Sequence, residues 1–455
     1  MEKFYKPSMF NHYTEELDSM GIILFNSFIG MNYMIRVPEE KKLKVIDWFS
    51  RSAIETESVI NDSDFERLMK LGYFVGASED EKRKREALLN KLKADSVLRL
   101  VIHTSKSCNF RCKYCYMTFD EKVGHDLNIS KEIQDGIINF VRKNINNYKA
   151  LHIDWFGGEP LMDIGAIQYI SEHLIKICEK AKKPYEAVIT TNGYLLTETN
   201  VNILLKCKIR HLAVTIDGLK ERHDFLRTLR DGTATFDRII ENLKYIRDQI
   251  KTQTLSIALR SNITIEMLEN IEEYYRFYND LFGDDRRFSL FLRPVKDMGG
   301  ERVNQLDDIL FQNNNTNFGI VFDRLGKVLD KIKFDSNFID IKVGGMRCYS
   351  NNQNRFTIGI DGLITKCDES FEQIGIGYLT PDGEMKINED KHAGWLCSIQ
   401  FDEKCDDCFF SCSCFMDPCP KARIIENGKE SCPTAVHEID SIVRFCVKSY
   451  EVLSL

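Results

Sequence analysis

Between positions 98 and 293, short apolar runs alternate with longer stretches in which apolar residues recur at helical spacing. Short continuous apolar runs are typical of buried strands, and apolar residues every three or four positions are typical of helices packed on one face. Repeated strand and helix units predict a parallel sheet, open or curled, and six strands fit a partial barrel. The predicted strands are 98–104, 151–156, 187–191, 212–216, 255–262 and 288–293. The predicted helices are 130–144, 166–182, 236–249 and 265–281.

The first 77 residues follow a different pattern and predict a small unit of their own. Its strand-like segments are 21–26 and 31–36. Helical patterns follow at 39–50 and 62–71, and residues 71–75 predict a turn into a short strand. Two strands packed on two or three helices are a winged-helix-like composition.

The rest of the chain divides into a connector, a linker and a cysteine-rich region. The connector is rich in charged residues, which we expect to face solvent. An Asn-rich piece at 312–317 is expected to be a surface loop. The predicted domains are 1–77 for the N-terminal unit, 78–97 for the helical connector, 98–300 for the barrel, 301–345 for a linker with a helix, and 346–455 for the cysteine-rich region.

Size and charge exclude several classes of protein. With 455 residues the chain is too long for one core, and its 43% apolar and 29% charged residues are those of a soluble globular protein. A net charge of −7 argues against a general nucleic-acid binder. No apolar run approaches the ~20 residues of a membrane span, and the first residues lack the apolar core of a signal peptide. We therefore expect a cytoplasmic protein with neither nucleic acid nor membrane as a partner.

Cysteine is unusually frequent for a cytoplasmic protein. Because disulfides are poorly maintained in the cytoplasm, dense cysteine indicates metal or redox chemistry. Of the fifteen cysteines, three lie at 108–115 and ten lie from Cys348 to Cys446. Cys178 and Cys207 lie in helix-like stretches and are expected to be ordinary buried residues.

The first cysteine group has the spacing Cys108-x3-Cys112-x2-Cys115 and follows the first predicted strand. A loop of this size can aim three thiolates at one four-iron cluster, which leaves one iron open to a small chelating molecule. The alternative is a zinc site, which needs four nitrogen or sulfur ligands and would have to recruit His103 or a distant cysteine.

Polar motifs follow the later strands, at the end where a parallel barrel gathers its reactive residues. Gly157 and Gly158 let the backbone come close to a ligand, and Glu159 offers an acceptor for an ammonium group. Arg227 suits a carboxylate, because a guanidinium pairs well with one. The motifs are Gly157-Gly158-Glu159-Pro160, Thr191-Asn192-Gly193, Ile216-Asp217-Gly218, His223-Asp224-x2-Arg227 and Arg260-x-Asn262-x-Thr264.

The cysteine loop, with Tyr114 before its last cysteine, and these strand-end motifs together resemble the radical S-adenosylmethionine (SAM) superfamily. The resemblance implies an α/β fold with a partial (β/α)6 TIM-like barrel. In that family the open iron binds the amino and carboxylate groups of S-adenosylmethionine, and an electron from the reduced cluster breaks a carbon–sulfur bond. The resulting 5′-deoxyadenosyl radical removes a hydrogen atom from substrate. The implied cofactor contacts are Tyr114, Gly157, Gly158, Glu159, Thr191, Asn192, Asp217, Arg227 and Arg260.

The C-terminal cysteines have the pattern Cys348, Gly362-x4-Cys367, Cys405-x2-Cys408-x5-Cys414-x4-Cys419 and Cys432. This pattern resembles the SPASM extension of radical SAM peptide-modifying enzymes, which holds two auxiliary four-iron clusters. Three [4Fe-4S] clusters are then expected in the chain. The resemblance assigns one auxiliary cluster to Cys405, Cys408, Cys414 and Cys432, and the other to Cys348, Cys367 and Cys419.

The second auxiliary cluster lacks an obvious fourth cysteine. The last spacing of the central run is four where the family has three, and Cys412 lies inside the run as an extra cysteine. Cys397 or Cys412 could be the fourth ligand, or an open iron could bind a thiolate of the substrate. A zinc ribbon is the alternative reading of the same cysteines.

The N-terminal unit resembles the winged-helix leader-recognition domain of maturases that act on ribosomally made peptides. The phrase Phe65-x2-Leu68-x2-Leu71-Gly72-Tyr73-Phe74 carries the likeness, although an ordinary core pattern explains it equally well. Such domains commonly bind a leader segment by adding a strand to a sheet edge. The resemblance implies a radical SAM oxidoreductase that modifies a precursor peptide with a leader segment, with a flavodoxin or ferredoxin as electron donor. A thioether between a cysteine sulfur and a carbon is the leading outcome, and a carbon–carbon crosslink is next.

The rival within the superfamily is the anaerobic sulfatase maturase, which oxidises a Ser or Cys to formylglycine. It shares the pair seen here as Cys367 and Asp368, in which Asp368 is a candidate catalytic base or the cap of a turn. The 107 residues before Cys108 favour the peptide maturase. Outside catalysis, the rival is a zinc or iron–sulfur protein that binds peptides or transfers electrons.

Overall fold

The fold is known from a computed structural model that describes most of the chain. The described residues are 2–17, 19–93, 96–117, 127–295, 322–323, 341, 345, 347–368, 374–396, 403–414, 416, 419–425, 432, 434–449 and 453–455. The predicted loop 312–317, most of the predicted segment 301–345, and Cys397 lie outside these residues.

The N-terminal module, residues 2–77, contains two small sheets and three helices among its described residues. In one sheet β1 lies between β5 and β6, and in the other β2, β3 and β4 are neighbours, with antiparallel pairing throughout these strands. The strands are β1 (Phe4–Pro7), β2 (Asn11–Glu15), β3 (Ile22–Asn26), β4 (Ile35–Val37), β5 (Ile54–Glu55) and β6 (Phe74–Gly76). The helices are α1 (Glu39–Ser50), α2 (Thr56–Val59) and α3 (Ser63–Leu71), which confirms the predicted helices 39–50 and 62–71.

Strand β3 is apolar at four successive positions because both of its faces are buried. Ile22 and Leu24 share a core with residues of α1 and α3. Ile23 and Phe25, at the alternate positions, belong to the large core that continues into the rest of the chain. The predicted strand 31–36 is wrong in its first half, because Met31–Tyr33 is a 3-10 turn and the strand begins at Ile35.

Helix α3 has a clear sequence signal at each end. The Asp62 carboxylate accepts hydrogen bonds from the N–H groups of Asp64 at 3.0 Å and Phe65 at 3.2 Å, which caps the helix. Gly72 ends it in the left-handed conformation, with φ of 95°. The chain then turns into β6, as the pattern at 71–75 predicted.

The connector forms helix α4 (Glu81–Lys93). Most of its side chains are exposed, but Glu81, Arg85 and Leu89 are buried. These positions are four residues apart and therefore lie on one face of the helix. The expectation that the charges of this helix all face solvent is wrong for Glu81 and Arg85.

Six parallel strands form the centre of the molecule, in the order of the chain from β7 to β12. They are β7 (Val97–Ser105), β8 (Ala150–Gly157), β9 (Tyr185–Thr191), β10 (Ile209–Thr215), β11 (Ser256–Ile263) and β12 (Phe288–Pro294), and they confirm the six predicted strands within a few residues. The helices are α5 (Lys131–Asn144), α6 (Ile164–Ala181), α7 (Glu198–Lys206), α8 (Lys220–Leu226), α9 (Phe236–Gln249) and α10 (Ile271–Phe282). Short 3-10 turns lie at Ile145–Asn147, Pro160–Asp163 and Ile265–Leu268. The last turn divides the predicted helix 265–281, so that prediction is wrong over its first residues.

The cysteine-rich region is joined to the same sheet. Strand β13 (Arg355–Ile358) pairs in parallel with β7, on the side opposite β8. The strands β14 (Leu363–Thr365), β15 (Gly377–Leu379) and β16 (Met385–Ile387) continue the sheet with antiparallel pairing. A 3-10 turn, Tyr349–Asn351, precedes β13. The strand that leads to the first cysteine loop is therefore the point where the two regions meet.

The two described ends of the chain share one sheet. The helices after β16 are Glu389–Leu396, Glu403–Asp406, Ser411–Cys414, Pro420–Ile425, Thr434–His437 and Ile439–Ser449. The last of them packs on β2 and β3, and β17 (Leu453–Ser454) pairs in parallel with β4. The C-terminal helix and strand thus lie on the N-terminal module, which the predicted division at 346–455 does not anticipate. Among the described helices, none has both the length and the apolar character that a membrane span requires.

Candidate active site

The predicted cluster-binding loop, residues 108–115, follows the end of β7. A second segment, residues 226–230, lies beside this loop and pairs with its backbone. Arg111 N–H donates to a carbonyl of that segment at 2.9 Å, and Arg230 Nε donates to the carbonyl of Cys108 at 2.8 Å. The chain that follows β10 therefore holds the loop in place.

The thiols of the first group lie within electrostatic range of one another. Cys108 and Cys112 are buried and Cys115 is half-buried. Burial raises the pKa of Cys108 to about 11 and that of Cys112 to about 12, and negative charge on neighbouring thiols acts in the same direction. The Arg227 cation opposes both shifts. A buried loop with three thiols and one guanidinium is a setting in which iron would favour the thiolate form.

The thiols of Cys108, Cys112 and Cys115 are not gathered tightly enough to bind one metal ion. In the part of the chain that the structure describes, no three His, Cys, Asp or Glu side chains are grouped so that they could hold a single metal ion. Zinc needs its sulfur ligands at about 2.3 Å from one point. His103, the candidate fourth zinc ligand, is buried beside the ring of Phe156, and this burial lowers the pKa of its imidazole to about 4.

The glycines after β8 are required by the cysteine loop itself. At Gly158 a Cβ would lie 2.4 Å from the carbonyl oxygen of Ser107, and at Gly157, where φ is +139°, it would lie 2.4 Å from that of Ser105. The backbone N–H of Gly158 donates to Ser105 O at 2.8 Å, and that of Glu159 donates to Ser107 O at 2.9 Å. The predicted close approach is therefore to the backbone under the cysteine loop.

The carboxylate of Glu159 joins the ends of β8 and β9. It is 1% exposed and accepts hydrogen bonds from the Thr191 hydroxyl at 2.7 Å, the Asn192 N–H at 2.7 Å and the Leu161 N–H at 3.1 Å. Burial raises the pKa of Glu159, and these three donors and Arg227 oppose the shift. Because an ionised carboxylate has about four acceptor sites, little capacity remains for an ammonium group.

Asn192 connects the end of β9 to the cysteine loop. Its Nδ2 donates to Asn109 Oδ1 at 2.8 Å and lies 3.8 Å from Cys108 Sγ. The N–H of Phe110 also donates to Cys108 Sγ, at 3.3 Å. Donors to a ligating sulfur tune the reduction potential of an iron–sulfur cluster. Asn109 was not singled out from the sequence, although it lies inside the cysteine motif.

A buried polar network surrounds Arg227. The Tyr114 hydroxyl donates to Asp217, which is fully buried, and Arg227 Nη1 lies 3.6 Å from the same carboxylate. Asn262 adds two bonds, because its N–H donates to Asp217 at 2.7 Å and its side chain donates to the Tyr114 oxygen at 2.9 Å. Burial raises the pKa of Asp217, and the charges of Arg227 and Arg260 oppose the shift. The structure therefore brings together these predicted site residues from the cysteine loop and the ends of β10 and β11.

His223 holds the backbone of Arg227. Burial lowers the pKa of His223 well below its usual range, and the charge of Arg227 acts in the same direction, so the imidazole is neutral. Its Nδ1 accepts the N–H of Asp217 at 3.1 Å, which leaves the proton on Nε2 to bond the Thr235 oxygen at 3.0 Å. The Thr235 hydroxyl donates to the Arg227 carbonyl at 2.7 Å. Asp224, from the same motif, accepts hydrogen bonds from two N–H groups at the start of α9.

Four arginines among the described residues keep a buried Nε without a hydrogen-bond partner, and two of them are predicted site residues. Arg227 Nε and Arg260 Nε have no hydrogen-bond partner among the described residues. The positive charges of both residues act to lower the pKa of Asp217, so both guanidinium groups lie in the region of that carboxylate. An orphaned guanidinium donor is suited to an anionic group such as a carboxylate. The residues present at this end of the barrel therefore fit a ligand that carries a carboxylate.

The C-terminal cysteines form two groups. Burial raises the pKa of Cys414 to about 12, and negative charge on Cys408, Cys405 and Cys432 acts in the same direction. Burial also raises the pKa of Cys348, and negative charge on Cys419 acts in the same direction. The predicted assignment places Cys405, Cys408, Cys414 and Cys432 at one site and Cys348 and Cys419 at another, and it stays a prediction. Cys367 is buried just after β14, and none of the described cysteines forms a disulfide.

Cys412 faces away from the cysteine group of Cys414. It is fully buried, and its side chain contacts those of Ser27 and Ser411, with Arg85 and Glu81 as the charges that act on it. The alternative in which Cys412 is a cluster ligand is therefore not supported by its position. The remaining candidate, Cys397, lies outside the described residues.

Asp368, the candidate catalytic base, is ion-paired. Its Oδ2 accepts a hydrogen bond from Arg355 Nη2 at 3.1 Å and its Oδ1 accepts one from the Thr357 hydroxyl at 2.6 Å. These contacts hold the turn after Cys367 against β13. Its role as a base stays a prediction.

Comparison with known proteins agrees with this architecture. Residues 102–275 match the sequence profile of the Radical SAM superfamily. The radical SAM cyclopropyl synthase TigE of Paramaledivibacter caminithermalis is 24% identical over 263 residues, which cover 52% of this chain and 54% of TigE. The cysteine-type anaerobic sulfatase-maturating enzyme of Clostridium novyi is 22% identical over 336 residues, which cover 69% of this chain and 85% of that enzyme.

A solved structure has a similar fold. The structure of native anSMEcpe with bound AdoMet and Kp18Cys peptide superposes with a TM-score of 0.58 and 16% identity, over 77% of this chain and 97% of that chain. At this level of identity the likeness concerns the fold alone.

Proposed function

Residues 102–275 form a radical SAM domain, and we propose that the chain is a maturase that modifies a ribosomally made precursor peptide. At the coarser level, the chain is a radical SAM enzyme related to peptide-modifying and sulfatase-maturating enzymes. The observation that carries the finer proposal is the combination of the three-thiol loop after β7 with further cysteines in a C-terminal region whose strands extend the same sheet. We expect it to work in the cytoplasm, where cysteines stay reduced.

The barrel residues have distinct roles in this proposal. Cys108, Cys112 and Cys115 would hold a four-iron cluster, and Arg227 and Arg260 would bind the carboxylate of S-adenosylmethionine through their unpartnered donors. When bound, the cluster and S-adenosylmethionine supply a carbon radical that removes a hydrogen atom from the substrate. The remaining predicted cofactor contacts are expected to orient the cofactor: Tyr114, Gly157, Gly158, Glu159, Thr191, Asn192 and Asp217.

Burial supports these assignments. Glu159, Asp217 and Arg227 are all nearly inaccessible to solvent. Asp217 and Arg227 lie beside one another, and Glu159 is bonded to Asn192, which contacts the cysteine loop. A site that excludes water protects a reactive radical from side reactions and strengthens the electrostatic interactions inside it. The network of Asp217, Tyr114 and Asn262 would fix the guanidinium of Arg227 before the cofactor binds.

The C-terminal cysteines are proposed to hold two auxiliary four-iron clusters. One would use Cys405, Cys408, Cys414 and Cys432, whose mutual electrostatic influence supports a common site. The other would use Cys348, Cys367 and Cys419, with Cys397 as a fourth ligand or with an open iron that binds a substrate thiolate. The position of Cys412 beside Ser27 disfavours it as a ligand.

The proposed substrate is a peptide with a leader segment. The anSMEcpe structure contains a bound peptide, which supports a peptide substrate for this chain. We expect the leader to add a strand to an edge of the N-terminal sheets. Because β4 already pairs with β17, the edges open among the described strands of this module are those of β2, β5 and β6.

A thioether between a substrate cysteine and a carbon remains the leading reaction, with a carbon–carbon crosslink or formylglycine as alternatives. Asp368 would act as a base only if substrate displaced its ion pair with Arg355. A flavodoxin or ferredoxin is the expected electron donor.

The test uses the reconstituted enzyme, S-adenosylmethionine, a reductant and short peptides encoded by neighbouring reading frames, with peptide masses and free thiols measured. A thioether removes two hydrogens and one free thiol, a carbon–carbon link removes two hydrogens and keeps the thiol, and formylglycine converts a Cys or Ser to an aldehyde. A product of any of these kinds that requires Cys112 supports the maturase. If 5′-deoxyadenosine forms but every peptide stays unmodified, while a small metabolite is converted, the peptide proposal fails.

A further inference from the structure

One face of helix α4 connects the N-terminal module to the loop that bears Cys405, Cys408 and Cys414. The buried residues of this face are Glu81, Arg85 and Leu89, which succeed one another at intervals of four. The rest of the helix is exposed or half-buried at its described side chains. Burial of a carboxylate and a guanidinium costs free energy unless both groups are paired or hydrogen-bonded. We therefore expect Glu81 and Arg85 to have partners in the structure.

The N-terminal end of this face is fixed to the module. Glu81 Oε1 accepts the Ser8 hydroxyl at 2.6 Å, and Oε2 accepts the N–H of Met9 at 3.1 Å. Ser8 Oγ in turn accepts from Asn26 Nδ2 at 3.1 Å, and Asn26 is the last residue of β3. The start of α4 is therefore bonded to both the turn after β1 and the end of β3.

Arg85, one turn later, is bonded to the cysteine loop. It is 1% exposed, and its Nη1 donates to Asp406 O at 3.0 Å, Cys405 O at 3.3 Å and Ser411 Oγ at 3.4 Å. Its Nη2 lies 3.3 Å from the Asp406 carboxylate. Leu89 then packs against Met416 and Cys405. A single planar guanidinium thus joins two backbone carbonyls and two side chains that surround the cysteines.

Further contacts join the module to the same loop. The Ser27 hydroxyl donates to the carbonyl of Phe409, and the ring of His12 stacks on the ring of Phe409 at 4.7 Å. Cys412 lies between Ser27 and Arg85, so this extra cysteine fills the junction. The loop is therefore held from the side of the N-terminal module at several points.

We propose that Arg85 is a positioning residue for the auxiliary cluster of Cys405, Cys408 and Cys414, and that the N-terminal module is consequently a structural part of that cluster site. The inference rests on the proposed function for the identity of the cluster. Without Arg85, the carbonyls of Cys405 and Asp406 lose a buried donor, and the loop loses the geometry that presents its thiols to one cluster. The N-terminal module would then have two roles: it would bind the leader segment of the substrate, and it would hold the loop of the auxiliary cluster in place.

The test measures cluster content separately from activity. In full-length protein that carries Cys108→Ala, Cys112→Ala and Cys115→Ala, only the C-terminal clusters contribute iron, about eight atoms if both assemble. Adding Arg85→Met should remove about four of these irons, and Arg85→Lys should retain iron but shift the spectrum or midpoint potential of one cluster. Arg83→Met, on the exposed side of the same helix, is the matched control and should change neither quantity.

Amide exchange measured on the apo-protein distinguishes a local change in the cysteine loop from misfolding of the whole chain. Amide exchange in residues 405–414 should become at least about 10-fold faster in Arg85→Met, while amides of β7 and β8 keep their protection. Full iron content with unchanged spectra and exchange in Arg85→Met would overturn the inference. General loss of protection in β7 and β8 would also overturn it, because the residue would then support the whole fold. Absence of C-terminal iron in the triple-cysteine variant, with Arg85 intact, would instead overturn the proposed auxiliary clusters.

Discussion

The two cysteine-bearing regions are supported in different ways. In the barrel, the cysteine loop follows a strand of a parallel sheet, and the residues that hold it come from the ends of neighbouring strands, such as Glu159 and Asn192. In the C-terminal region, Cys405 and Cys414 lie on short helices and Cys408 lies between them, and a central anchor, Arg85, lies 320 positions before Cys405. The barrel site is thus organised by the sheet itself, whereas the C-terminal site depends on an element from the other end of the chain.

Because the two sites are supported differently, mutations in them should have different effects. Parallel strands place their carboxyl ends at one edge, so barrel residues that are distant in sequence meet by topology. The C-terminal loop has few such constraints and relies on individual buried bonds. Variants in the barrel should therefore act through the chemistry of the site, and variants around the C-terminal loop should act through cluster assembly.

The largest effect is expected for Cys112→Ala. Loss of one of three ligands should reduce cleavage of S-adenosylmethionine by at least ~1,000-fold, or ~4 kcal/mol. The iron of the C-terminal clusters should remain, because those clusters use other cysteines. Chromatography of 5′-deoxyadenosine together with iron analysis measures both quantities. Undiminished cleavage would remove Cys112 from the site.

The next largest effect separates two cysteines that are two positions apart. Cys414→Ala should cost about four irons, because its neighbours are Cys405, Cys408 and Cys432. Cys412→Ala should keep the full iron content and destabilise the junction by only ~1 kcal/mol, as expected for a small cavity. Iron analysis and spectra of the reduced proteins make the comparison. Equal iron loss in both variants would contradict the orientation of Cys412.

Two glycine-to-alanine substitutions, one at Gly158 and a control at Gly165, test the packing beneath the barrel cysteine loop. In Gly158→Ala the new Cβ would lie 2.4 Å from Ser107 O, so the cysteine loop must move and cofactor-dependent changes in the cluster spectrum should weaken or disappear. In Gly165→Ala the closest atom would be 3.7 Å away, and because this residue lies in the first turn of α6 the stability should change by less than ~1 kcal/mol. Spectra with and without S-adenosylmethionine distinguish the two. An unaffected Gly158→Ala protein would show that the loop tolerates the displacement.

The smallest effect is expected for Glu159→Gln. An amide has one acceptor oxygen, so at least one of the three donors to Glu159 would lose its partner, at a cost of ~1–3 kcal/mol. Amide exchange in β8 and β9 should become about 10-fold faster. Glu179→Gln removes an exposed pair with Lys208 and should change exchange very little. Similar exchange in both variants would mean that Glu159 does not join the two strands.

The sequence predicted the barrel well because its signals are local. Each strand is a short apolar run, and Glu159 and Asp217 come just after strand ends, so the rule for parallel sheets places them at one edge. Arg227 lies farther along, at the end of α8. The division of the C-terminal cysteines between two clusters came from the resemblance to the SPASM extension, and it stays a prediction. The barrel strands, in contrast, were predicted from the apolar pattern alone.

Other features needed the three-dimensional arrangement. Nothing in the charged run at 78–96 distinguishes Arg85 from its exposed neighbours, since its partners lie more than 300 residues away. The pairing of β17 with β4 depends on a contact between the two ends of the chain. Gly157 and Gly158 were predicted to let the backbone approach a ligand, whereas in the structure they approach the backbone of Ser105 and Ser107. Their contact with a cofactor stays a prediction.

The most direct test of the central claim is the iron and sulfide content of the anaerobically reconstituted protein, with electron paramagnetic resonance of the reduced form before and after addition of S-adenosylmethionine. We expect about twelve irons per chain and one signal that the cofactor alters, from the cluster on Cys108, Cys112 and Cys115. Zinc in place of the C-terminal iron would contradict the auxiliary clusters, and reduced clusters that do not respond to S-adenosylmethionine would contradict the proposed active site.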